Sequence, residues 1–299
     1  MIVTAQITVT YVALTGAYGP LWVAKDEGLF AKHGLDVSLR HLTPTAGVQA
    51  LLSREVDLYA GGTAALTAAI AGADIAHIGS IVDRFVMSLF ALPDITSLMD
   101  LKGKVVGATQ PGAPTDAGAR IALRGAGLVR PQDVTLSYLE AGPRILAALQ
   151  QKVIQGGMLS PPVSAMARKA GLRELVDLGT LAERFPQTAF VARRKDLPSH
   201  RDVLFRFFRG YGEGVRLARE RPARAQEIIA TYTKVSEPEV TVENYNAFAP
   251  WWEMPPFATE AGIRSALSVS THPRARLMKP SDLIDNQIVE ALTASGFFN

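Results

Sequence analysis

The sequence predicts an α/β protein of two lobes, each a mostly parallel sheet flanked by helices, with two crossover strands joining the lobes. Three observations lead to this fold class. Short apolar strands alternate with helical segments as far as about residue 193. One strand–turn–helix pattern occurs once in each half of this region. Beyond residue 198 the pattern is helical only, with prolines between the segments.

Ten segments have the periodicity or composition of strands. The first alternates Ile7, Val9 and Tyr11, and most others are short apolar runs closed by turn residues. The predicted strands are Gln6–Val12, Leu35–Leu42, Val56–Ala60, Ile75–Ile81, Arg84–Leu92, Lys104–Ala108, Val134–Glu140, Val153–Leu159, Leu172–Leu178 and Gln187–Arg193.

Helices are predicted between these strands and throughout the C-terminal third. Pro20 and Pro114 suit first turns of helices, and Gly34 and Gly72 suit helix ends. The predicted helices are Pro20–Lys32, Val48–Leu52, Ala64–Ala71, one from Pro114, two that end at Lys152 and Ala170, Val203–Glu220, Ala223–Tyr232, Val240–Phe248, Thr259–Leu267 and Leu283–Thr293.

An internal echo supports the two lobes. The pattern of Ala50–Val56 returns in Ala147–Val153, and each is followed by a strand, a small-residue turn and an Ala-rich helix. With Arg84–Leu92 and Gln187–Arg193 as the crossovers, residues 1–87 and 192–299 form the first lobe and residues 88–191 the second. Ligands of such sheets bind beyond the carboxyl ends of the strands, so we expect a cleft between hinged lobes.

Composition excludes several classes of function. The 299 residues carry a net charge of +3 without a basic stripe, so no nucleic-acid partner is predicted. The chain has no cysteine, which removes disulfides and thiolate chemistry, and its five histidines lack metal-ligand spacing. No cofactor or metal is therefore expected. No run is long enough to span a membrane, and the first residues lack the regions of a signal peptide.

Three stretches resemble a known family. They are Pro20–Phe30 followed by Gly34–Val37, Ala50–Thr63, and Leu101–Val106. Together they resemble the type II periplasmic solute-binding proteins of ABC importers, in the branch that serves aliphatic sulfonates, taurine, nitrate and thiamine-precursor pyrimidines. The resemblance runs from about Ile7 to Leu178. It implies a type II periplasmic-binding-protein fold and a monomer that delivers a small organic anion to an inner-membrane permease. It also implies a periplasmic or lipid-anchored protein whose export signal lies outside this sequence.

The resemblance also implies where the ligand binds. Family members line their cleft with the turns after the first three strands and with a helix start in the second lobe. By position this set comprises Tyr18, Gly19, Pro44, Thr45, Gly62, Thr63, Gln110, Gly112, Ala113 and Thr115. Ser160, in the turn that echoes Gly62, completes the predicted set. Pro114 removes one N–H donor, Asp116 adds a negative charge, and Ile154 replaces a common acid; these departures weigh against a bare nitrate or simple sulfonate.

Two further residues have two readings each. Arg84 could hold a carboxylate or sulfonate if it faces the cleft, or it could pair with Asp83 or another acid. Trp251, together with Trp252, could wall an apolar pocket or staple the C-terminal helices onto the first lobe.

The functional expectation is a binding protein rather than an enzyme. The rival is an enzyme on the same fold, of the thiamine-pyrimidine, menaquinone-pathway or aromatic-acid decarboxylase type. The missing cysteine weakens the first of these. A third reading is a receptor domain that feeds a sensor or regulator.

Overall fold

The computed structural model describes residues 5–128 and 132–298, which form two five-stranded sheets with helices around them. The first sheet has the order β2-β1-β3-β10-β4 and the second the order β7-β6-β8-β5-β9. The strands are β1 (Ala5–Tyr11), β2 (Leu35–His41), β3 (Leu58–Gly61), β4 (Ile75–Val82), β5 (Ser88–Ala91), β6 (Val105–Ala108), β7 (Thr135–Tyr138), β8 (Gly156–Leu159), β9 (Arg173–Asp177) and β10 (Thr188–Arg193).

Twelve α-helices lie within the described ranges. They are α1 (Gly19–Asp26), α2 (Leu29–Lys32), α3 (Pro44–Leu52), α4 (Thr63–Ala71), α5 (Pro114–Gly125), α6 (Gly142–Gln150), α7 (Val163–Lys169), α8 (Arg201–Glu220), α9 (Pro222–Thr233), α10 (Pro238–Phe248), α11 (Glu260–Val269) and α12 (Gln287–Ala294). No described helix has the length and apolar character needed to cross a bilayer.

The two sheets have the same topology. Strands β6, β7, β8 and β9 of the second sheet occupy the positions that β1, β2, β3 and β4 occupy in the first, and β5 corresponds to β10. In the first sheet β1 pairs in parallel with β2 and β3, and in the second β6 pairs in parallel with β7 and β8. The strand that follows a crossover, β10 or β5, is antiparallel to both of its neighbours. The predicted fold class and the internal echo are therefore confirmed.

The strands differ in burial as their positions in the sheets require. All eight residues of β4 are buried, since helices cover the sheet and the C-terminal segment lies along the free edge of this strand. In β2, at the opposite edge, Leu35 and Val37 are buried while Asp36 and Ser38 face solvent. This alternation is the reason that β2 was predictable from sequence.

The first crossover is shorter as a strand than the sequence predicts. The prediction was one strand over Arg84–Leu92, but β5 begins only at Ser88. Residues 83–87 span the gap between the sheets, where no neighbouring strand is present to form backbone hydrogen bonds with them. The N–H of Val86 instead donates to the side-chain oxygen of Gln187, at 2.6 Å.

The two crossovers, residues 83–87 and 178–187, lie side by side. The rings of Phe85 and Phe185 stack with their centroids 4.0 Å apart. Beside them the carboxylate of buried Asp83 lies 3.5 Å from the guanidinium of Arg184, and the hydroxyl of Thr259 donates to Asp83 at 2.5 Å. The hinge between the sheets is thus held by aromatic stacking and by one buried carboxylate.

The C-terminal helices pack mainly on the first sheet's helices. Helix α8 crosses α1 so closely that a Cβ at Gly214 would lie 2.4 Å from the carbonyl oxygen of Pro20. Trp252 is buried, and its indole N–H donates to the carbonyl of Gly16 at 3.0 Å. Of the two neighbouring tryptophans, Trp252 therefore makes the staple that the sequence suggests for both.

The division into lobes at residues 87/88 and 191/192 stays a proposal. Strand β10 pairs with β4 from Thr188 onward, so a second boundary near residue 187 would keep this strand whole.

Candidate functional site

A cavity of about 320 Å³ lies between the two sheets, at the carboxyl ends of their parallel strands. This is where the topology of open α/β sheets favours a ligand. Apolar and aromatic side chains predominate in the wall, and a few hydroxyl and amide groups interrupt them. The lining residues include Val12, Leu14, Thr15, Tyr18, His41, Pro44, Tyr59, Gly62, Met87, Thr109, Ala113, Thr115, Glu140, Met158, Ser160, Val163, Met166, Gln187, Thr188, Lys234 and Val235.

Five helices begin at this cavity: α3, α4, α5, α6 and α7 each contribute a lining residue at the cap or in the first turn. Their N-terminal ends bring partial positive charge to the cavity, which favours an anionic ligand. Prolines in the first turns of α3, α5 and α6 remove some of the free N–H groups. Helix α4 has no such proline, and its cap residue Gly62 supplies no side-chain hydrogen bond.

Six of the predicted site residues line the cavity. They are Tyr18, Pro44, Gly62, Ala113, Thr115 and Ser160. The hydroxyl of Thr115 pairs with that of Thr109 at 2.7 Å, so the start of α5 is held as a compact turn. The hydroxyl of Tyr18 donates to the carbonyl of Ala60 at 3.1 Å, which fixes the ring in the wall.

Four other predicted residues join the lobes instead of lining the cavity. Thr45 donates to the side-chain oxygen of Gln110 at 3.0 Å, and Thr63 donates to the carbonyl of Gly112. Gly112 has a φ of +73°, a conformation that favours glycine. Gly62 packs closely against Pro114 of the other lobe, because a Cβ at Gly62 would lie 2.5 Å from Cγ of Pro114.

The remaining three predicted residues lie elsewhere. Gly19 is buried against Trp252, where a Cβ would lie 2.7 Å from the indole ring. The guanidinium of Arg84 lies 3.7 Å above the ring of Trp251, and neither residue belongs to the cavity wall. Their predicted role as ligand contacts stays a prediction, and this geometry does not support it.

Asp116 does not carry its charge into the cavity. Its carboxylate pairs with Arg120 at 3.0 Å and accepts from the hydroxyl of Tyr138 at 3.0 Å. It also accepts from the N–H of Gly112 at 3.0 Å, which holds the loop before α5. The negative charge noted in the sequence is therefore neutralised within the second lobe.

Several lining residues were not predicted from the sequence. Met87, Met158 and Tyr59 resemble ordinary strand interior, and Gln187 and Thr188 resemble a strand start. The sequence does contain one signal for the position of Tyr59. Tyr59 and Gly61 are two residues apart and so share a face of the strand, and the glycine leaves room for the tyrosine ring. A Cβ at Gly61 would lie 2.5 Å from the Tyr59 hydroxyl.

Charge is confined to the exposed rim of the cavity. His41, Glu140 and Lys234 stand there, and Glu140 pairs with Arg144 at 2.6 Å. Partial burial and the charge of Lys234 lower the pKa of His41. Burial raises the pKa of Tyr18 and of Tyr59 well above the ordinary tyrosine value, so both phenols are neutral. The Tyr18 hydroxyl already donates to Ala60, whereas among the described residues the Tyr59 hydroxyl has no hydrogen-bond partner. The interior can thus offer hydrogen bonds and apolar contact to a ligand.

Comparison with known proteins places this geometry in a family. The sequence pattern of the family described as NMT1/THI5 like matches residues 16–225. A Brucella abortus protein named as a binding protein is 27% identical over 230 residues, which are 75% of this chain and 70% of that protein.

Two solved structures have a similar fold. The periplasmic aliphatic sulphonate binding protein SsuA from Escherichia coli superposes with a TM-score of 0.75 at 21% identity, over 93% of this chain and 88% of that one. The periplasmic nitrate-binding protein NrtA from Synechocystis PCC 6803 gives 0.78 at 13% identity, over 99% and 91%. At these identities the likeness shows the fold. With the family pattern spanning most of its sequence, the chain belongs to the NMT1/THI5-like family and has the two-lobe fold of the type II periplasmic binding proteins of ABC importers.

Proposed function

We propose that the protein is the substrate-binding component of an ABC importer and captures a small organic anion, a carboxylate or sulfonate, in the interlobe cavity. The observation that carries the proposal is the cavity itself, because both lobes line it and the starts of five helices surround it. Its apolar wall suits the hydrocarbon part of an organic ligand, and the N-terminal ends of the helices suit an acidic head group. The names of SsuA and NrtA refer to a sulphonate and to nitrate, which supports an anionic ligand, and the sulphonate supports an organic one.

Capture would proceed by closure about the two crossovers. The bonds from Thr45 to Gln110 and from Thr63 to Gly112 join the lobes at one side of the cavity. On another side Lys169 of α7 pairs with Glu239 of α10 at 2.9 Å, and Arg168 pairs with Glu243. A ligand that touches both lobes would strengthen this set of contacts, since it binds the closed arrangement better.

Delivery to a permease, export from the cytoplasm and a monomeric state belong to the same proposal. Fractionation of cells that express the full native gene tests export: the product should appear in the osmotic-shock fluid or in the membrane fraction. Light scattering on the purified chain should give the mass of one copy, 32.1 kDa.

Ligand class can be tested with matched compounds. Thermal unfolding and calorimetric titration would compare benzoate, benzenesulfonate and benzyl alcohol, hexanoate and hexanesulfonate, nitrate, and 4-aminopyrimidine. A compound at a thousand times its dissociation constant adds about 4 kcal/mol of stability, which raises Tm by several degrees. We expect the organic acids to bind and to be recovered unchanged. Consumption of the compound would indicate an enzyme instead, and binding of nitrate or the pyrimidine alone would refute the organic-acid class.

A further inference from the structure

Gln187 stands at the junction of the cavity and the hinge. It is the last residue of the second crossover and is nearly buried, with 8% of its surface exposed. It lines the cavity together with Met87 of the first crossover and Thr188 of β10. The residue was not among those that the sequence indicated, since it reads as the start of a strand.

The orientation of the Gln187 amide is fixed by the other crossover. The N–H of Val86, which has no strand partner, donates to Oε1 of Gln187 at 2.6 Å. Only the oxygen of an amide can accept this bond, so the NH₂ group must occupy the opposite position. Among the described residues no hydrogen bond from that NH₂ group is found, and its nitrogen is not one of the fully enclosed polar atoms that lack a partner, so it stays accessible to a ligand.

The surroundings of this NH₂ group suit an acidic head group. The backbone of Gln187 packs on the start of α4, since a Cβ at Gly62 would lie 2.7 Å from the Gln187 carbonyl oxygen. Four of the helices that begin at the cavity have eight residues or more: α3, α4, α5 and α6. Of these four, α4 alone has neither a proline in its first turn nor a side-chain hydrogen bond at its N-cap. A carboxylate or sulfonate beside Gln187 would therefore meet both an amide donor and the positive end of this helix.

We propose that Gln187 is a ligand-binding and specificity-determining residue: it is locked by Val86 across the hinge and donates its amide N–H to an oxygen of the ligand's acidic head group. This inference rests on the proposed function, because it assumes an organic acid in the cavity. It adds a link between binding and the hinge. The bond from Val86 ties the two crossovers together, and the same side chain then contacts the ligand.

Gln187→Glu is the variant that separates the two bonds. The carboxylate keeps an oxygen for Val86 but replaces the donor toward the ligand with an acceptor of nearly the same shape. Gln155→Glu is the matched control, because Oε1 of Gln155 likewise accepts a backbone N–H, from Val105 at 3.2 Å, away from the cavity. The probes are benzoate and benzyl alcohol, which share a ring and differ in the head group.

The readout is the ratio of the affinities for benzoate and benzyl alcohol, measured by calorimetry. Loss of a charge-assisted hydrogen bond should lower this ratio about tenfold or more in Gln187→Glu. The ratio should stay at the wild-type value in Gln155→Glu. A purely structural defect would weaken both probes alike and leave the ratio unchanged, which would overturn the inference while the proposed function stands.

Two further outcomes are decisive. If the wild type binds neither probe nor any other organic acid, the proposed function fails and the inference fails with it. If Gln187→Glu does not fold, Gln187→Met takes its place: it should lose affinity for benzoate and retain that for benzyl alcohol. Equal losses for both probes in Gln187→Met would again contradict a contact between Gln187 and the head group.

Discussion

Thr45 and Gln110 face each other across the cleft, and the hydroxyl of Thr45 donates to the side-chain oxygen of Gln110 at 3.0 Å. Thr45 lies in the first turn of α3 and Gln110 in the loop before α5, so this bond joins the two lobes. Both residues had been predicted to bind ligand. In the structure they bond to each other instead of lining the cavity, and their role as ligand contacts stays a prediction.

Gln110→Ala should weaken ligand binding without much effect on the fold. An exposed hydrogen bond is worth about 1 kcal/mol, so the affinity for an organic acid should fall about fivefold. Calorimetry on Gln110→Ala, Thr45→Val and the double variant measures the coupling between the two side chains. The losses should not add, because each single change removes the same bond. Fully additive losses would mean that the bond is absent from the bound form.

Gly62→Ala should prevent the lobes from approaching as closely. Its Cβ would lie 2.5 Å from Cγ of Pro114 and 2.7 Å from the carbonyl oxygen of Gln187. Overpacking of this kind costs about 1–3 kcal/mol, so affinity should fall about 5- to 150-fold. Gly125→Ala, at the end of α5, is the control, because a Cβ there has no neighbour within 4 Å. Wild-type affinity in Gly62→Ala would show that ligand binds without this contact.

Asp83→Asn should change how stability depends on pH. Burial raises the pKa of Asp83 from 3.8 to about 7, although the hydroxyl of Thr259 and the charge of Arg184 oppose this shift. Between pH 4 and pH 7 the unfolded chain releases this proton while the folded chain keeps it. The contribution of Asp83 to the free energy of unfolding is therefore most favourable below pH 4 and is lost as the pH rises through 7.

Asn resembles the protonated acid and keeps an acceptor for Thr259. The free energy of unfolding of Asp83→Asn relative to wild type should thus rise between pH 4 and pH 7, by at most about 4 kcal/mol. Urea titrations at several pH values measure this difference. A constant difference across the range would show that Asp83 does not take up a proton on folding.

Arg84→Gln should leave ligand affinity within about twofold of wild type, because Arg84 stacks on Trp251 outside the cavity wall. The lost stacking should lower stability by about 0.5–1 kcal/mol. Titration with benzoate and benzenesulfonate, together with a urea midpoint, separates the two effects. A tenfold loss for both acids, with benzyl alcohol unaffected, would restore Arg84 as the countercharge that the sequence suggested.

The fold was predictable because its signals are local. Alternation in β2, the turn glycines and the helix-start prolines are each set within a few residues, so the element order followed from the sequence. The crossover was the exception, since an apolar run at 84–92 does not reveal where a neighbouring strand stops. Phe85, Val86 and Met87 are buried between the sheets and are apolar for that reason.

The site was predictable only in part because its wall is assembled from distant segments. The turns after the strands carry a local signature, and Pro44, Gly62 and Ala113 were found through it. Gln187 lines the cavity, and its amide is oriented by Val86, which lies 101 positions away in the sequence, so no local pattern reveals it. Met87 and Met158 have the composition of strand interior, and no sequence pattern separates a methionine that lines a cavity from one that fills a core.

The order of the strands has a consequence for how the chain folds as it is synthesised. Strand β10 lies between β3 and β4, so β4 has no partner in its sheet until residues 188–193 have been made. By then all five strands of the other sheet have been synthesised as one continuous segment, residues 88–177. The lobe that begins first is therefore the one completed last, and β4 depends on that late strand and on the C-terminal helices for the cover it needs against aggregation.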